Sequence, residues 1–557
     1  MGTIVSAVAS LDMIRLLEAD TNVVSIEVSA QRARRDLALS TTFVGATTVH
    51  RPPIEERGDS ALIGIIDDGV DVLHETFLDD QGQCRILALW DQQDPTGPSP
   101  HALAPEAFPA GTMGAEGTVH LAARLQDYIA GRLPMPQALR NPDRHGTHVA
   151  SIAAGRALPP PAAGGGASPS QPIAMADGMA PAAKLVVVIP KLRPVQGDPW
   201  SLGYSIGHIA ALDFLAWARK GTNAVTAQAL PMAINVSMGM NAGAHDGMSA
   251  LEAAFDTRTN KGRDPGLVIV KSAGNERGHG GHARVRLANG ILPLQWTSVN
   301  RMRYRDYMEA WYSTRDDVEF TLIDPAGHSS RAVSVRNPKV LDDLGGNLCE
   351  LTLTAAHPDN SDNCLVITIT PKASPIQSGL WTLNVHGIAI RTNEGLLDIW
   401  VERDDSARAV RFEMDTHEGT LSIPGTADTV ITVAAANSRE PLALTAASSW
   451  GPTRSGKIAK PELCAPGTAI VAASAAGSDH RATRAETGTS MAAPHVTGAL
   501  ALVLSHRHKL AGKRQFNAQE LRGLLIQSAR AGTAFAHPGF GYGSLDAAKL
   551  FDLAKSR

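Results

Sequence analysis

A chain of 557 residues, 43% hydrophobic and 19% charged, has the make-up of a globular protein with a large core and room for a second module, which excludes a fibre or a disordered chain. Its formal net charge of −4 and scattered basic residues give no footprint for nucleic acid or for an anionic membrane. The four cysteines, Cys84, Cys349, Cys364 and Cys464, are too few for a disulfide scaffold and lack the Cys-x-x-Cys spacing of a zinc site.

Cys349 and Cys364 could bridge, though buried free thiols are the simpler reading. The first twenty residues carry no basic stretch ahead of an apolar one, and no apolar run is long enough to span a bilayer. The expectation is a cytoplasmic protein, or an exported one whose signal lies outside this sequence.

In chain order, residues 11–28 predict an amphipathic helix, a turn at Asp20-Thr21-Asn22 and a strand over 23–28, a small α/β piece ahead of the main domain. From Ala61 onward, branched apolar runs at 61–66, 184–190, 233–238, 266–273 and 430–436 alternate with helical patterns. Continuous β-branched runs separated by helices predict a parallel sheet buried on both faces. Residues 157–181, rich in Pro, Gly, Ala and Ser, read as a surface loop. From about 283 to 412 the pattern turns all-β, with DVEFTLIDPAG, LCELTLTAA, CLVITITP, GLWTLNVHG and GLLDIWVER as strands, and the parallel pattern resumes near 420. A β-sandwich inserted into an α/β domain accounts for this order.

Three short segments carry chemistry. In Ile65-Ile66-Asp67-Asp68-Gly69 a buried strand ends on a carboxylate, at the carboxyl edge where open α/β sheets bind ligands. In Asp143-Arg144-His145-Gly146-Thr147-His148 a helix begins near His145 and stops at Gly155. In Gly488-Thr489-Ser490-Met491-Ala492-Ala493-Pro494 a serine precedes a long apolar helix. Pro494 is expected in the first turn, where a missing amide donor is harmless, and free amides near Ser490 would favour an oxyanion. Taken singly these are a turn residue, a histidine at a helix entrance and a cap. Together they supply a hydroxyl nucleophile, an imidazole base and an orienting carboxylate in the chain order Asp, His, Ser.

The strings IIDDGVD, RHGTHVASIAAG and GTSMAAPHVTGALAL resemble the three signature segments of the subtilase family, and MAPAAKL, INVSMG, SAGNERG, SSWGPTRSGKIAKPELCAPG and FGYGSLDAAKL extend the likeness over about 54–282 and 413–553. The resemblance implies a subtilisin-like α/β fold, with Asp67, His145 and Ser490 as the triad and Asn275 as the side-chain donor of the oxyanion hole. It implies that Ser237, Met238, Gly239 and Gly274 bind a polypeptide substrate in extended conformation. No organic cofactor or metal ligand set follows; calcium stabilises many relatives, but no ligand-rich loop stands out.

Residues 1–53 resemble a shortened propeptide with its linker. The peptidase domain is expected at 54–282 and 413–557, and the insert, expected at 283–412, is similar to the jelly-roll insert of clostridial germination subtilases. Such an insert could dock a protein partner, shield the cleft or stabilise the fold. Asp68, where many subtilases have Ser or Thr, is read as a solvated turn carboxylate. His279 and His282 are assigned to a mobile polar loop, and His148 to the packed face of its helix. The function expected is a serine endopeptidase, possible self-processing included, with a cleft-blocked regulatory scaffold as the alternative; an esterase or peptide ligase on the same machinery is a further one.

Overall fold

A computed structural model describes Met13 and residues 36–136, 139, 145–159, 175–192, 200–299, 305–373, 375–402, 409–456, 459–477, 479–530 and 537–557. The helix and strand expected over 11–28, Met13 apart, and most of the Pro- and Gly-rich segment lie outside these residues.

The expected parallel sheet is present and has eight strands. Across it the order is Leu463–Pro466, Ile431–Ala436, Leu267–Ser272, Met232–Val236, Leu62–Ile66, Lys184–Ile189, Ile86–Asp91 and Thr118–Leu121, all parallel except the last pair. Its central strands are buried at every position, as the unbroken branched runs require. Alternate residues feed two cores. Ile63, Ile65, Val187, Val268 and Val433 pack with Ala492, Val496 and Leu500 of the helix Thr489–Lys509. Leu62, Ile66, Val186, Val188 and Ile234 pack with Phe214 and Leu215 of Trp200–Ala218 and with Leu251 and Phe255 of Ala250–Arg258. Three strands, at 86–91, 118–121 and 463–466, go beyond the sequence expectation.

The all-β region forms two antiparallel sheets. One has six strands in the order Lys339–Leu344, Asn347–Thr354, Asn363–Pro371, Asp306–Tyr312, Leu396–Val401, His282–Arg286; the other has four, Asp317–Ile323, Gly379–Ala389, Gly290–Ser298, Val410–Phe412. Their strands alternate buried and part-exposed residues, the mark of sheets with one face in a core. Trp296, Trp381, Phe320, Leu351 and Ile367 fill that core, which is separate from those of the α/β domain. All four cysteines are free thiols, so Cys349 and Cys364 do not bridge; Cys84 is part-exposed and the other three are buried. Among the described residues no helix is long and apolar enough to cross a membrane.

Candidate active site

Asp67 follows directly on the central strand Leu62–Ile66, its amide donating to the Val188 carbonyl at 3.2 Å. Its side chain is 1% exposed, and its Oδ1 accepts from His145 Nδ1 at 2.8 Å. The second oxygen, Oδ2, is buried with no hydrogen-bond partner among the described residues. Oδ1 also accepts from the Asp68 amide, at 2.9 Å. Burial disfavours a charged His145, but the Asp67 carboxylate, with Asp68 and Glu486 further off, outweighs it and raises the imidazole to about 9. The Nδ1 contact leaves His145 Nε2 as the nitrogen free for proton transfer.

His145 opens the helix His145–Ala154, and it is Asp68 that starts this helix. Asp68 Oδ2 accepts the His145 amide at 3.2 Å and Oδ1 accepts the Gly146 amide at 2.9 Å. Asp68 is exposed on the turn, as read from the sequence, and the structure adds a role to that reading: its oxygens satisfy two orphan amides of a helix end. Loss of water on the side that faces the helix end, and then the neighbouring Asp67 charge, raise its carboxyl to about 6. Gly146 admits no side chain here, because a Cβ would lie 2.4 Å from the Gly69 carbonyl oxygen and 2.9 Å from Asp67 Cβ.

Ser490 is the second residue of the helix Thr489–Lys509, so its amide is among the first four, which have no acceptor within the helix. Beside it, Asn275 Oδ1 accepts from the Thr489 amide at 3.0 Å and from Thr489 Oγ1 at 3.2 Å. A backbone amide can only donate, so this contact fixes which end of the carboxamide is oxygen. The Asn275 Nδ2 is thereby left as a donor at the same helix end as the Ser490 amide.

A family model for the subtilases matches residues 58–325 and 405–543. The chain belongs to the subtilase family, the subtilisin-type serine peptidases. The solved structure of the Clostridium perfringens CspB protease is similar in fold: 24% of residues are identical, the match covers 93% of this chain and 99% of that one, and the TM-score is 0.73.

In this subtilase the Ser490 hydroxyl donates to the Ser237 carbonyl at 3.2 Å, and no hydrogen bond joins it to His145 among the described residues. Ser237 answers with its own hydroxyl, which donates to the Ser490 carbonyl at 3.3 Å. Pro494 explains the need for that donor. It is the sixth residue of its helix, not a first-turn residue as expected, and its missing N–H is the one that would bond the Ser490 carbonyl four residues earlier. The chain continues inward: Asn235 Nδ2 donates to Ser237 Oγ at 2.9 Å, and Thr497 Oγ1 donates to Asn235 Oδ1 at 3.0 Å. Asn235 and Thr497 are fully buried. A Pro four residues after the serine is the sequence signal for this network.

Gly239 and Gly274 face one another across Ser422. A Cβ on Gly239 would meet Ser422 Oγ at 2.6 Å and Lys271 Nζ at 3.1 Å; one on Gly274, at φ 103°, would meet the Ser422 and Ser449 hydroxyls at 3.0 Å. Lys271, wholly buried, donates to the Ser272 carbonyl at 2.5 Å and to the Ser272 and Ser422 hydroxyls at 3.0 Å. Met238 is half-buried against the apolar core. Lys271 and Ser422 were not anticipated, since 151 residues separate them in sequence.

His148 is buried as expected, with Nε2 against the Ile470 and Arg484 carbonyls at 2.9 and 3.1 Å, and burial lowers it to about 4. His282 is not on a loop: it lies in a strand, 2% exposed, with Nε2 2.9 Å from Asp398 Oδ1. Among the described residues Asp67, Asp68 and His145 form the one group of three ligand-type side chains with donor atoms within 4.8 Å, consistent with a bound cation and not specific to calcium.

Proposed function

We propose that this subtilase is a serine endopeptidase in which Ser490, His145 and Asp67 act as the triad. The 2.8 Å contact of Asp67 with His145 Nδ1 carries the reading, because it orients the imidazole so that Nε2 is the nitrogen turned to a nucleophile. When a peptide docks, the Ser490 hydroxyl leaves the Ser237 carbonyl and bonds to His145 Nε2. Attack forms the Oγ–C bond as the proton passes to Nε2. The oxyanion is met by the Ser490 amide and Asn275 Nδ2, both rigidly held donors. His145 then protonates the leaving amine, and a water deprotonated by His145 hydrolyses the acyl-enzyme.

The segment Ser237, Met238 and Gly239 that follows the strand Met232–Val236, with Gly274 opposite, is assigned to the substrate backbone, and the polypeptide substrate to extended conformation. The insert is assigned to the jelly-roll type, and residues 1–53 to a propeptide-like segment. One observation favours the scaffold alternative, the Ser490 hydroxyl bonded to Ser237 and not to His145. Hydrolysis of fluorescein-labelled casein by the wild type, lost in Ser490→Ala and in His145→Ala, supports the peptidase. Casein left intact by the wild type and both variants sinks it in favour of the scaffold.

A further inference from the structure

The stretch that follows Ser237–Gly239 runs straight into the antiparallel sheets. Met240 makes an antiparallel bridge with Ile423. Next, Glu402 takes hold: its carboxylate accepts the Asn241 amide through both oxygens at 3.2 Å and the Ala242 amide at 2.7 Å. Asn241 returns a bond from Nδ2 to the Val401 carbonyl at 3.3 Å, and the Gly243 amide is hydrogen-bonded to Glu309.

His245 is in the left-handed region at φ 51°, unfavourable for a residue with a Cβ. It is held there by Nε2 against the Asn241 carbonyl at 2.7 Å and by stacking at 4.1 Å on Trp400, whose other face carries His282 at 4.4 Å. Arg454 completes the grip, pairing with Asp246 at 3.7 Å and with Asp362 and Asp398 of the inserted sheets at 2.6 and 3.5 Å. Asn241, Ala242, Ala244 and His245 are at most 5% exposed.

We infer that Glu402 is a positioning residue for substrate. By anchoring the Asn241 and Ala242 amides it fixes the Ser237–Gly239 segment, which follows the strand Met232–Val236, in the place where a peptide pairs with it, so the inserted sheets are a working part of the cleft. A carboxylate suits this role because one group with two oxygens takes amides from two successive residues, through charge-assisted bonds that a neutral acceptor makes more weakly. The inference rests on the assignment of Ser237–Gly239 to substrate.

The test uses the full chain with fluorescein-labelled casein peptides. Glu402→Ala is expected to raise KM five- to ten-fold with kcat changed by less than two-fold. In a Ser490→Ala background the same substitution is expected to weaken peptide binding, read by fluorescence polarisation, by the same factor. Glu402→Gln, which keeps one carbonyl acceptor and guards against misfolding of the alanine variant, is expected to weaken binding at least two-fold. Asp342→Ala, on the strand at the opposite edge of the six-stranded sheet, is expected to leave KM unchanged. An unchanged KM and affinity in the folded Glu402 variants, or a fall in kcat at constant KM, overturns the inference. Peptide that binds Ser490→Ala but is not cut by the wild type defeats the peptidase reading alone, and the Kd comparison still decides this one. Peptide that does not bind Ser490→Ala defeats the assignment of Ser237–Gly239 to substrate and this inference with it.

Discussion

Ser237→Ala removes the hydroxyl that both donates to the Ser490 carbonyl and accepts from Asn235 Nδ2. Two buried polar groups then lose a partner, each at a cost of about 1–3 kcal/mol, so the expected destabilisation is about 2–6 kcal/mol, toward the lower end because the 3.3 Å bond is long. The carbonyl is vulnerable only because residue 494 is proline. In a Pro494→Ala background the helix supplies its own N–H to that carbonyl, leaving only the Asn235 amide stranded. Ser237→Ala is therefore expected to cost about 1 kcal/mol or more less there, well outside the ~0.5 kcal/mol within which independent substitutions add. Urea midpoints of the four proteins, in a Ser490→Ala background if the active chain digests itself, measure the cycle. Equal costs of Ser237→Ala in both backgrounds would refute the claim that Ser237 stands in for the missing proline amide.

Asn275→Ala is expected to lower kcat by about 100- to 1000-fold with little change in KM, the range found when an oxyanion donor of a related enzyme is removed; steady-state kinetics on casein peptides decide it, and a change confined to KM would place Asn275 in ground-state binding. Because the base form of His145 must be neutral and its pKa is raised toward 9, kcat/KM is expected to rise with pH through a midpoint above 6.5. Asp68→Asn, which removes one of the negative charges favouring the imidazolium, is expected to move that midpoint to lower pH; a pH–rate profile unmoved by this substitution would contradict the electrostatic reading. As a helix cap Asp68 is also structural: Asp68→Ala is expected to cost about 0.5–2 kcal/mol in urea unfolding, and Asp68→Asn much less, since asparagine caps as well.

The central strands were legible because burial on both faces demands unbroken branched apolar runs, and that demand is local. The strand Ile86–Asp91 hid because its run ILALWD holds a single β-branched residue, Ile86, and ends in a tryptophan and an aspartate. Asp67, His145, Ser490 and Asn275 each announced themselves through their neighbours in sequence, and the fold brings Asp67 to His145 and Asn275 to the helix end that carries Ser490. What stayed hidden depends on partners far along the chain. Asp68 looks like a turn residue until the helix it caps, 77 residues on, is placed over it. His282 reads as a loop residue in a Gly- and His-rich stretch until Asp398 and Trp400, more than a hundred residues away, close around it. Pro494 was misplaced by a helix boundary, which sequence defines less well than helix existence.

The most direct test of the account is the intact mass of the purified chain after reaction with a fluorophosphonate, beside Ser490→Ala and His145→Ala. A single adduct on the wild type, absent from Ser490→Ala and formed far more slowly by His145→Ala, is the expected result, since it requires a hydroxyl at position 490 activated by that imidazole. An adduct that persists in Ser490→Ala, or a wild type that forms none, would contradict the claim that Ser490 is an activated nucleophile.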